Sequence, residues 1–244
     1  MSIALEEATT ALRCRLLAGD FDPGTKLREI SVAEDLGVSR TLARLAMSAL
    51  EHEGLLTREP NRGSRVKRFS IKEIADAIEV RGELEAMAVR QAAERGLDAA
   101  MDARLEQILG SLEEVLAQGV TTDAMRDRWV DLNSTLHDCL VEASGNWALK
   151  VSISQMSRLP LVSPSALIFD RKDHENGHRQ LVASHADHVE IVAAIRARQG
   201  HRAEARMREH AFMNARNKIL NLADPETMDL ARALPGGPLI RPDK

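Results

Sequence analysis

Apolar residues at Ile3, Ala4, Ala8, Ala11, Leu12 and Leu16 recur at helical spacing, so the chain is predicted to open on an amphipathic helix. The pattern breaks at GDFDPGTKL (19–27), where Pro23-Gly24 supplies turn chemistry. A short helix from Ile30 to Leu36 is predicted to end at Gly37, and Ser39 is placed to cap another that runs to about His52. In that helix Leu42, Leu45, Ala46, Ala49 and Leu50 form an apolar face and leave Arg40, Thr41 and Arg44 on another side. After Gly54 the period changes. LLTREPNRGSRVKRF alternates around Pro60-Asn61 and Gly63, the pattern of a small β-hairpin with a basic tip.

From residue 71 the helical period returns, carried by Ile74, Ala77, Ile78, Ala88, Val89 and Ala92 as far as about 95. Further helices are predicted at 98–117, 121–143, 147–157, 160–170, 178–198 and 202–222. Nothing in this half alternates as a strand, so an all-helical bundle is the economical fold. The last stretch, ADPETMDLARALPGGPLIRPDK, is rich in Pro and Gly and is expected to be a flexible tail. The chain is therefore read as mainly α: a winged helix-turn-helix at 1–68, a helical domain at 71–222 and a tail at 223–244.

Charge sharpens the first domain. The whole chain of 244 residues carries a net charge of −4, which argues against a general basic coat for nucleic acid. Residues 38–68 nevertheless hold seven Lys or Arg against three acids, an excess of four positive charges in one segment. A helix N-terminus bearing Ser39, Arg40, Thr41 and Arg44 suits the major groove, where Arg reads guanine edges. Arg62 and Gly63 sit at the wing, within reach of the DNA backbone or minor groove. Double-stranded DNA is the expected partner. Cys14 and Cys139 form no CxxC pair, and no apolar run approaches the roughly 20 residues that span a bilayer. With no signal-peptide pattern at the start, a cytoplasmic protein without a membrane partner is expected.

The segments PGTKLREISVAEDLGVSRTLARLAMSALEHEGLL and NRGSRV resemble the DNA-binding domain of GntR-family bacterial regulators, over nearly all of residues 12–67. Two departures, Leu42-Ala43 for the usual Pro-Val and Leu45 for an acidic residue, leave Arg40, Thr41 and Arg44 in place. The resemblance implies a homodimer on a near-palindromic operator.

Candidate chemistry in the second half lies in its histidines. Asn133 and His137 are four apart and share one helical face; His188 and His210 fall in later helices. Singly, each such histidine is more often a satisfied core or boundary residue than a ligand. Together with Ala143-Ser144-Gly145-Asn146 and Asp187-His188, however, they resemble the FCD branch of the GntR family over most of residues 71–222. That resemblance implies that Asn133, His137, His188 and His210 converge on a divalent metal ion, with zinc or nickel suited to imidazole ligands. It further implies a small carboxylate effector bound there and a repressor as the outcome. Asn133 departs from the carboxylate of many relatives, which leaves a weaker, uncharged ligand. Arg81 is read in two ways: as a clamp for the effector carboxylate, which the resemblance favours, or as an ordinary intrahelical partner of Glu85. Asp187 could orient a ligand from outside the coordination sphere. Two rival functions are a metal-dependent hydrolase, for which no HExxH or GxSxG motif is present, and an architectural DNA protein without an effector.

Overall fold

The computed structural model describes residues 3–59, 63–119, 122–168 and 174–241. Its first unit packs α1 (Ile3–Ala18), α2 (Glu29–Leu36) and α3 (Arg40–His52) against a small antiparallel sheet of β1 (Lys26–Leu27), β2 (Leu56–Glu59) and β3 (Gly63–Val66) in the order β1-β3-β2. Gly37 takes the left-handed conformation (φ 65°) that closes α2, and its N–H returns to the carbonyls of Ala33 and Glu34. Ser39 Oγ then accepts the Leu42 N–H and starts α3. The face that α3 buries is Ala43, Ala46, Met47 and Leu50. Leu45, assigned to that face from its spacing, is instead 45% exposed beside Arg44, because α1, α2 and the sheet cover the helix from the other side.

A two-residue strand, β4 (Phe69–Ser70), leads into α4 (Ile71–Arg95), whose start is fixed by a capping box between Ser70 and Glu73. The bundle continues with α5 (Ala99–Ala117), α6 (Asp123–Ala143), α7 (Trp147–Met156), α8 (His174–Arg196) and α9 (Gly200–Ala223). Helices α4 and α9 lie closest, because Gly82 has no side chain: a Cβ there would stand 2.3 Å from the Cβ of Ala211.

Two expectations are corrected. No helix forms over 160–168; the chain runs there as turns, with Leu161 at φ 56° and Pro164 unable to donate to a helical ladder. Residues 169 and 170, the rest of that expected helix, lie outside the described residues. The tail is not loose. Asp224 caps α10 (Pro225–Arg232), a 3-10 turn follows at Gly237–Leu239, and β5 (Ile240–Arg241) pairs in parallel with β4. Pro225 and Gly236 stand where α10 and the 3-10 turn begin, while Met228, Ala231, Leu239 and Ile240 are buried.

Burial divides into two main cores. One lies within the bundle and includes Val89, Leu105, Leu112, Trp129, Leu136, Ile191 and Met207. The other is continuous from the small unit into the bundle: Leu12, Leu16, Leu50 and Leu55 pack in one cluster with Ile74, Ile78, Leu161, Val162, Leu222 and Ile240. The head thus shares apolar contacts with the α7–α8 connection and the C-terminal segment rather than standing apart.

Candidate DNA-facing surface and imidazole site

The N-terminal turn of α3 projects Arg40, Thr41 and Arg44 into solvent, with Ser39 exposed as their cap. Arg40 and Arg44 line a surface groove with Lys26, Arg28, Arg58 and Gly63, and none of these five basic residues has an ion-pair partner among the described residues. Arg65 differs: Glu59 Oε1 (2.8 Å) and the Gly24 carbonyl (2.6 Å) hold its guanidinium. Gly63 has a structural reason to be glycine, since at φ +88° a Cβ would sit 2.7 Å from the Leu27 carbonyl oxygen. Arg62 lies outside the described residues. Lys26 and Arg28 in the groove were missed from the sequence; their only signal was basic character next to the Pro-Gly turn.

Inside the bundle, α6, α8 and α9 bring His137, His188 and His210 together, with one ring nitrogen of each within 4.8 Å of the others. All three are buried. His188 Nε2 and His210 Nε2 are 3.3 Å apart, about the spacing of two imidazole nitrogens on one tetrahedral zinc at roughly 2.0–2.1 Å each. Burial, reinforced by the neighbouring imidazoles, pushes the His188 pKa well down. Burial also lowers that of His210, against the opposing pull of Asp187. Both rings are therefore held in the neutral form that ligates metals. Both ring nitrogens of His137 and Nδ1 of His188 are buried without a hydrogen bond, a cost of about 1–3 kcal/mol for each unsatisfied group. Such orphaned nitrogens fit a cation.

Two carboxylates back the imidazoles. Asp187 Oδ2 lies 3.4 Å from His210 Nδ1 and is itself held by Arg206 (3.1 Å), so Asp187 orients the histidine of another helix rather than its own neighbour. Glu85 was not singled out as a histidine partner. Its Oε2 is 3.3 Å from His137 Nδ1, in ionic range but off the line of a hydrogen bond, and its Oε1 accepts from Arg81 at 2.6 Å. Burial alone would raise the Glu85 pKa, but Arg81 and His137 outweigh it and hold the carboxyl at about 2. Arg81 therefore makes the intrahelical pair and also borders the cavity.

That cavity, of about 70 Å³, is lined by Arg81, Asn133, His137, Pro164, Asn214 and Lys218, among others. Asn133 shares its face of α6 with His137, but its amide nitrogen is committed to the Pro164 carbonyl at 3.1 Å. Asn214 donates to His210 Nε2 at 2.9 Å, so it occupies a lone pair that a cation would need and has to turn away for one to bind. Lys218 is half-buried and donates to the carbonyls of Leu161 (2.7 Å) and Ala166. Burial, then the nearby Arg81, brings its pKa down to about 7. Asn214 and Lys218 escaped sequence reasoning, although the four-residue steps from His210 placed them on one face of α9.

Comparison with known proteins agrees with this architecture. Residues 5–66 match the family described as bacterial regulatory proteins, gntR family, and residues 76–212 match the FCD domain. Among curated sequences, the chain is 29% identical over 148 residues to YdhC of Bacillus subtilis, described as an uncharacterized HTH-type transcriptional regulator, covering 61% of this chain and 64% of YdhC, just under two thirds of that protein. It is 28% identical to the HTH-type transcriptional repressor GlaR of Escherichia coli over 86% of this chain and 93% of GlaR. Among solved structures, E. coli McbR/YncC superposes with a TM-score of 0.62 at 21% identity, over 92% of this chain and 100% of that one, which speaks to the fold alone.

Proposed function

As the chain belongs to the GntR family of bacterial regulatory proteins, in its FCD branch, we propose that it is a metabolite-responsive DNA-binding transcriptional regulator, a repressor released by a small organic acid. The matched relatives are transcriptional regulators and not enzymes, which sets the hydrolase reading aside. Ser39, Arg40, Thr41 and Arg44 present the reading edge of α3, with Arg62 and Gly63 at the wing, and two copies place those edges on a near-palindromic operator in the cytoplasm. His137, His188 and His210 hold a divalent cation, zinc or nickel, with the Asn133 amide oxygen as the fourth protein ligand. The bound ion supplies positive charge for an acid's carboxylate. Glu85 and Asp187 keep the His137 and His210 rings oriented, and Arg81, already paired with Glu85, bounds the cavity as a secondary contact.

The observation that carries this reading is the meeting of three buried imidazoles with unpartnered nitrogens in a domain whose apolar core continues into a groove-reading head. An acid can alter DNA affinity only by preferring one arrangement of the two. The test is fluorescence anisotropy of the full chain on a palindrome selected from a random-sequence pool, with and without zinc and a panel of organic acids. A zinc-dependent loss of affinity with at least one acid is expected. Equal affinity under all conditions would leave only the architectural role.

A further inference from the structure

The charges around the cavity do not balance. Arg81 is answered by Glu85 at 2.6 Å. Lys218, half-buried, meets the two backbone carbonyls of Leu161 and Ala166 and no carboxylate among the described residues. Neutral carbonyls solvate an ammonium but do not cancel its charge, and a cation drawn partly out of water without a counter-charge carries a cost. A ligand that brought a negative group to Lys218 would recover that cost.

The position of Lys218 says what kind of ligand. His210, Asn214 and Lys218 follow one another down one face of α9 in steps of four, so Lys218 starts about 12 Å from His210 along the axis. Its side chain slants back toward the helix N-terminus and reaches the cavity that Asn133 and His137 also line. The α9 side of the lining adds the neutral amides of Asn214, Asn217 and Asn221. The free volume, about 70 Å³, is about half of the roughly 150 Å³ that admits a benzene ring, so an acid of more than a few heavy atoms has to push the lining aside. The part not locked in a helix is the 157–168 connection. Lys218 and Asn133 hold it by its carbonyls at Leu161, Ala166 and Pro164, and at its start Arg158 pairs with Glu53 at 2.6 Å, at the end of α3.

We propose that Lys218 is the effector's second anchor: it selects a dicarboxylate over a monocarboxylate, and in taking the far carboxylate it releases the Leu161 and Ala166 carbonyls and so loosens the connection tied to the DNA-reading helix. The proposal rests on the reading of this cavity as the effector site. Succinate, malate and glutarate are matched against butyrate, 3-hydroxybutyrate and valerate in calorimetric titrations of the zinc-loaded full chain. At least one diacid is expected to bind about tenfold or more tightly than its partner. Lys218→Met should bring that diacid to the monoacid's affinity with zinc affinity unchanged, and Lys218→Arg should keep the preference. A wild-type chain without diacid preference, or a Lys218→Met chain that retains it, overturns the proposal; should the variants fail to fold, discrimination within the matched pairs decides. A chain that takes no zinc but shows the preference, and loses it in Lys218→Met, overturns the metal reading and upholds Lys218. One that takes zinc without the preference does the reverse.

Discussion

The two halves of the molecule treat polar groups in opposite ways. The head keeps its charge outside: Arg40 and Arg44 stand in solvent without partners among the described residues, where an unpaired cation is cheap and a phosphate or guanine edge can reach it. The bundle puts His137, His188, His210, Glu85 and Arg81 out of water, and Lys218 partly so, where every unsatisfied atom has a cost. A reading surface is thus recognised by what is exposed and unpaired, and a sensing cavity by what is buried and left short of partners. A histidine that carries no signal on a surface becomes informative when two others face it and ring nitrogens among them are left unpartnered.

The contrast breaks most sharply at His188, the most buried of the three imidazoles. His188→Ala removes a ring nitrogen from the centre of the cluster. Zinc affinity, measured by competition with a fluorescent chelator, should fall by more than about 100-fold, beyond the roughly 10–100-fold expected on altering an orienting partner such as Glu85 or Asp187. Wild-type affinity in this variant would mean that the buried nitrogens serve packing alone.

A smaller effect is expected in the head, since each of its contacts is made in water. Arg44→Ala should weaken binding to the selected palindrome by about 1–3 kcal/mol, roughly 5–150-fold. Arg65→Ala should weaken it less, because Glu59 and the Gly24 carbonyl already hold that guanidinium. Equal losses in an anisotropy titration would show that the groove is read by net charge rather than by the edge of α3.

This difference also governs how much could be read before the fold was known. The turn at Gly37, the Ser39 cap and the projection of Arg40 and Arg44 are local events within a few residues, and the sequence carries them. Which side of α3 is covered is not local, so Leu45 was misplaced. The bundle site depends on three helices meeting, which no spacing encodes; His137, His188 and His210 were legible as a set only through family resemblance. Asn214, Lys218 and the Glu85 contact with His137 were missed because a polar residue on a helix reads by default as a solvated face. The tail was misjudged from composition, although Asp224-Pro225 is a helix start in its own right.

The smallest predicted effect lies where the halves join. Glu53 ends α3 and receives Arg13 through two bonds of 2.7 Å and Arg158, from the far side of the joint, through one of 2.6 Å. Burial by itself would raise the Glu53 pKa, but the two guanidiniums prevail and hold it below the ordinary 4.5. A carboxyl whose pKa is lower folded than unfolded adds stability that is complete above the ordinary value and is lost as the pH falls through the folded one. Glu53→Gln should therefore destabilise the chain by about 1 kcal/mol near neutral pH, toward the upper end for a partly exposed pair. Urea midpoints for the variant and the parent should converge as the pH falls from the ordinary 4.5 through the folded Glu53 value. A gap that persisted unchanged into acid would assign the loss to packing of the side chain, and would leave the 157–168 connection tied to the head by its apolar residues, Leu161 and Val162, rather than by charge.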